Sequence, residues 1–124
     1  MGFKFEKLIA WQKALGLSAD IHELTLNFPQ DEKYILTSQI KRAADSINLN
    51  IAEGSTGQTN KQFSVFLGYA IRSGIEVIAC LHTAKKRGLI DLENFNKNYD
   101  RTEEVIKITQ GLRNSLRNGD QSVD

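Results

Sequence analysis

The sequence holds one cysteine, one proline, one methionine, one tryptophan and two histidines in 124 residues. A lone thiol, Cys80, excludes an intrachain disulfide and a cysteine-based metal site, and it fits a reducing cytoplasm. His22 and His82 stand alone: neither belongs to a Glu-x-x-His or His-Glu-x-x-His pattern, and neither follows an arginine at short ribonuclease spacing. A phosphate-binding glycine loop and a Gly-x-Ser-x-Gly elbow are also missing. The reading is a non-enzyme with no metal and no cofactor. His22 reads as a surface or flanking residue and Cys80 as a small buried hydrophobe.

Charge of one sign is lacking too. The net charge is +1, and without the tail from Gly119, which carries Asp120 and Asp124, there are 16 bases against 13 acids. Any nucleic-acid role must therefore rest on a local patch, or on one repeated by oligomer symmetry. Uninterrupted apolar runs are only a few residues long, which predicts neither a signal peptide at Met1–Lys7 nor a membrane-spanning helix, and hence a cytoplasmic protein. At 40% hydrophobic and 25% charged residues the chain is ordinary for a globular domain. A chain this long buries roughly 65–70% of its unfolded surface.

What is present is helical periodicity. Four long segments carry it, without a strand pattern or an internal repeat. Helix one spans about Leu8 to Asn27, with Trp11, Ala14, Leu17, Ile21 and Leu24 on one face, and stops at Phe28-Pro29. Helix two opens at Gln30 or Asp31 and ends at Gly54, read as a left-handed terminator. After the short connection Ser55 to Gln58, Thr59 caps helix three in a capping-box pattern with Gln62, and Gly88 stops it. Asp91 caps helix four, whose stripe is Leu92, Phe95, Tyr99, Thr102, Ile106, Thr109, Leu112 and Leu116. The expected fold is all-α, an antiparallel up-and-down four-helix bundle over residues 1–118, with 119–124 a disordered C-terminal tail.

Helix two has two stripes. Leu36, Ile40, Ala43, Ala44, Ile47 and Ile51 form an apolar face; Gln39, Arg42, Ser46, Asn50 and Glu53 form an ordered polar row about 110° round the helix. Such a row predicts a polar contact within the bundle or between subunits, with Glu53 or Glu76 satisfying Arg42. Helix three is apolar over about half its circumference, through Phe63, Phe66, Leu67, Ala70, Ile71, Gly74, Ile75, Val77, Ile78, Leu81 and Ala84. This is wider than a monomeric bundle needs and predicts a homo-oligomer, with a deeply buried central helix as the alternative. Gly68 and Gly74 mark expected close approaches of another backbone.

Basic residues supply the only candidate ligand chemistry. Lys85-Lys86-Arg87 lies just before Gly88, where cations offset the helix dipole; a nucleic-acid patch is the other reading. Lys41-Arg42 and Arg72 sit mid-helix. Arg72 and Glu76 are spaced for an ion pair, with phosphate contact behind it as the second reading.

The run Gln39-Ile40-Lys41-Arg42-Ala43-Ala44, then Ser46-Ile47 and Asn50-Ile51-Ala52-Glu53-Gly54, resembles the signature of the 23S ribosomal RNA intervening-sequence proteins. Trp11-Gln12-Lys13-Ala14, Phe28-Pro29, Tyr34, Leu36, Phe63, Phe66-Leu67, Ala70, Ser73 and Glu76 extend the resemblance from about Phe5 to Leu116. Three positions depart from the family pattern: Lys41 where two arginines are common, Gln58 where a base often follows the turn, and Arg72 where glycine is usual.

The resemblance implies a bundle that assembles into a ring, typically a homopentamer, with relatives among the accessory proteins of diversity-generating retroelements. Those relatives associate with nucleic acid and a reverse transcriptase. It carries no catalytic residue across. The expected function is therefore a non-enzymatic ring that binds RNA or DNA, structured RNA foremost, through Lys41, Arg42, Arg72, Lys85, Lys86 and Arg87. The alternative is a protein-interaction scaffold with no nucleic-acid role.

Overall fold

The computed structural model describes residues 2–57 and 59–123 in backbone and, up to residue 117, in side chain. Gln58 and Asp124, placed by the sequence in the turn after helix two and in the tail, lie outside the described residues. Four helices follow one another: α1 Ile9–Thr25, α2 Ser38–Ser55, α3 Asn60–Lys86 and α4 Leu92–Val123. Each packs on its two neighbours in sequence, and α4 closes the circuit on α1. The architecture is an antiparallel four-helix bundle, with no strand among the described residues.

The periodic apolar faces meet in one core. Leu17 and Ile21 of α1, Ile40, Ile47 and Ile51 of α2, and Leu67, Val77 and Leu81 of α3 are almost fully buried. Each such side chain contributes about 1.5–3 kcal/mol over leaving it exposed. The α4 face is less apolar. Phe95 and Val105 are buried there beside Thr102 and Thr109, whose hydroxyls donate to the carbonyls of Asn98 and Val105 at 2.7 Å. Val105, not Ile106, is central, and Leu92 is left 59% exposed, so the expected α4 stripe is rotated at its start. Helical backbone continues through Asn118 and Gly119 to Val123, past the point where composition predicts the domain to end.

The helix ends follow their caps. Thr59 Oγ1 accepts from Gln62 N at 3.1 Å, and Asp91 Oδ1 accepts from Asn94 N at 2.8 Å. Gly88 has φ +72°, and Leu89 N donates back to Ala84 O while Gly88 N donates to Lys85 O, the paired bonds of a left-handed helix terminus.

Gly54 does not play that role. Its φ is not positive, α2 continues to Ser55, and a Cβ on it would lie 2.5 Å from Phe66 Cβ. Glycine is required there because α2 and α3 touch. Gly74 and Gly68 likewise face α4, but what approaches is side chain: Ile106 over Gly74 and the Arg113 guanidinium over Gly68.

Helix two also starts later than its periodicity implies. Gln30–Glu32 is a 3₁₀ turn and Lys33–Thr37 a π turn, with α-helix only from Ser38. The tight turn after Pro29 followed by a wide one adjusts the phase of the chain, so that Leu36 enters the core in register with Ile40 while Tyr34 and Ile35 stay outside.

One expectation needs a further correction. Among the described residues one helix, α3, is long and apolar enough to cross a membrane by length and composition, with a third of its apolar window buried. Short apolar runs concealed this, because single glycines, serines and two charges interrupt a window whose mean hydropathy still reaches 1.5. Its buried face, from Phe63 to Ala84, packs between α2 and α4 as a core helix does.

Candidate nucleic-acid interface

The polar row of α2 divides into two parts. Its inner part belongs to the seam with α3. Asn50 Nδ2 donates to Ser46 O at 2.8 Å and to Ser46 Oγ at 2.9 Å, and Ser73 Oγ of α3 donates to Ser46 Oγ at 3.0 Å. Gln39 Nε2 donates to Glu76 Oε2 at 3.4 Å. Its outer part is Arg42 and Glu53, which are exposed. The expected pairing of Arg42 with Glu53 or Glu76 does not form, and neither does Arg72 with Glu76. The reason is geometric: Glu76 is turned toward Gln39 across the seam.

Two depressions flank the row. The larger, about 610 Å³, lies between the end of α1, the π turn and α2, and is bordered by His22, Lys33, Tyr34, Lys41, Arg42 and Asp45 among others. The smaller, about 380 Å³, lies over the seam and is bordered by Ser46, Asn50, Tyr69, Arg72, Ser73 and Glu76. The six candidate bases thus fall into separate groups. Lys41 and Arg42 face the larger depression, and Arg72 the smaller. Lys85 and Arg87 sit at the far end of α3, where Lys85 Nζ stands 4.5 Å over the Phe95 ring and Arg87 Nη1 donates to Glu32 Oε1 at 3.0 Å. Lys86 is exposed beside them. Among the described residues Lys41, Arg42 and Arg72 have no ion-pair partner.

A model of the 23S rRNA-intervening sequence proteins matches residues 6–111. The chain belongs to that family. A crystal structure at 1.70 Å resolution of a protein of unknown function from the S23 ribosomal protein family, from Bacteroides thetaiotaomicron VPI-5482, superposes with a TM-score of 0.77. Its sequence identity is 20%, and the match covers 85% of this chain and 98% of that one. At that identity the likeness establishes the fold. No curated protein matches the chain.

In this family member one cluster joins residues that sequence reasoning did not connect. Asp45 of α2 accepts from Ser18 Oγ of α1 and lies 3.0 Å from His22 Nε2. Ser18 and His22 are four residues apart and share a face, which was the available signal; only the α1–α2 packing brings Asp45 to them. The carboxylate stands between serine and imidazole. In a hydrolytic triad the imidazole stands between the other two, so this arrangement provides no activated nucleophile. It ties α1 to α2. His82 packs edge-on against Phe95 and Tyr99 instead.

Cys80 is buried, and burial, with a smaller contribution from the Glu76 carboxylate, pushes its thiol up to about 11. A thiol so held is a poor nucleophile at neutral pH. Among the described residues no three of His, Cys, Asp and Glu converge as a metal site would require.

Proposed function

We propose that this protein is a non-enzymatic bundle that assembles into a cytoplasmic ring, a homopentamer by family resemblance, and binds nucleic acid, structured RNA foremost. The observation that carries this reading is the unpaired state of Lys41, Arg42 and Arg72 on the outward side of α2 and α3. In a chain of net charge +1, three mid-helix cations without carboxylate partners form a local positive surface, and ring symmetry multiplies it. Phosphate binding through them falls steeply with salt. The test is titration with fragments of 23S rRNA at about 50 mM and about 200 mM salt, a range over which several phosphate contacts are readily resolved. Absence of binding at the lower salt refutes the reading.

A second reading, a protein-interaction scaffold, draws on the outward side of α3, where Val65, Tyr69 and Ile75 are 43%, 46% and 57% exposed. The same surface serves ring assembly. Recovery of a protein partner in pull-downs, unchanged by nuclease treatment, favours the scaffold.

A further inference from the structure

We infer that the larger depression is the seat of one unpaired nucleotide: its base stacks on Tyr34 and its flanking phosphates meet Lys41 and Arg42. The inference rests on the nucleic-acid reading above and narrows it from charge to single-stranded substrate.

Two observations carry it. Tyr34 is 84% exposed, with the Lys33 ammonium 5.4 Å from its ring centroid and no other aromatic ring packed on it among the described residues. A large aromatic side chain held out of the core, with a cation beside it, is what nucleotide bases stack on.

The second is charge. Lys33, Lys41 and Arg42 border the depression without ion pairs, while of its two carboxylates Asp45 is engaged by Ser18 and His22, leaving Glu53. Tyr34, Lys41 and Arg42 border this one depression, so a base held at Tyr34 shares its space with both long cations of α2.

A duplex keeps its bases stacked inside and cannot present one to Tyr34; an unpaired strand can.

The probes are a labelled single-stranded RNA of about twelve nucleotides and the blunt duplex of the same sequence, followed by fluorescence anisotropy at low salt. The expected result is that Tyr34→Ala weakens single-strand binding about tenfold and leaves duplex binding unchanged. Tyr34→Phe keeps binding near wild type. Tyr34 lies outside the core, so its replacement leaves the bundle intact. If Tyr34→Ala changes nothing, or lowers single-strand and duplex binding equally, the nucleotide seat is overturned while binding through Lys41 and Arg42 stands. Failure of the wild-type protein to bind either probe overturns both.

Discussion

Gly54→Ala tests the close approach of α2 to α3. The added Cβ would lie 2.5 Å from Phe66 Cβ and 3.0 Å from Phe63 Cδ1. Phe66 Cβ is fixed to the α3 backbone, so a rotamer change cannot clear it. The helices must part by roughly 1 Å to restore ordinary contact. Overpacking of this kind costs about 1–3 kcal/mol, and the better helix propensity of alanine offsets about 1 kcal/mol, leaving a net loss of up to about 2 kcal/mol. Gly16 and Gly111 are internal controls. A Cβ at either meets nothing within 4 Å, so alanine there stabilises by about 0.5–1 kcal/mol. Urea unfolding followed by circular dichroism measures all three, at one protein concentration because assembly shifts apparent stability. The two signs differ for one chemical change, so helix propensity alone cannot produce the pattern. A Gly54→Ala protein as stable as the Gly16→Ala protein would refute the α2–α3 approach.

Three shorter tests address the thiol, the α1–α2 tie and the ring. At pH 8 only about a thousandth of Cys80 is thiolate if its pKa is about 11, so Ellman's reagent should modify the folded protein at least a hundredfold more slowly than a free thiol; rapid labelling would contradict its burial. Because burial raises the folded thiol from its ordinary 9.0 to about 11, the linked stability is present below pH 9 and lost between pH 9 and 11, and Cys80→Ala should flatten that decline in unfolding midpoint. Asp45→Asn should lower stability by about 1 kcal/mol, since Ser18 and His22 lose a charged acceptor, yet tighten oligonucleotide binding by removing a carboxylate from the depression; a change of both in one direction would argue against the division of roles. Ile75→Asp should split the assembly in light scattering without loss of helicity, as the residue is 57% exposed, and an unchanged mass would remove α3 from the interface.

The bundle was legible because its signals are local. Apolar residues every three or four positions, Thr59 and Asp91 with free backbone donors ahead of them, and Gly88 after three bases each act within one or two turns. What escaped depends on neighbours distant in sequence. Gly54 has the composition of a helix stop and the function of a contact point, and only Phe66 distinguishes them. Asp45 follows two alanines in a regular helix, with no local mark that Ser18 and His22 come to it. The π turn at Lys33–Thr37 is a matter of phase between Pro29 and the Leu36–Ile40 register, which periodicity alone reads as continuous helix.

The same distinction applies to the polar row of α2, which looks uniform in sequence. Ser46 Oγ receives the Ser73 hydroxyl and the Asn50 amide, so its removal would leave the part-buried Ser73 hydroxyl without its acceptor and the Asn50 amide with the Ser46 carbonyl alone, and would be felt in stability. Among the described residues Arg42 has no ion-pair or hydrogen-bond partner, so its removal is free of that penalty. A residue that the bundle does not use, bordering one depression with an aromatic ring the core has left outside, is where a ligand can act without unfolding the protein. Selection for folding explains Ser46 and Asn50. It does not explain Arg42 or Tyr34, and those two face one depression.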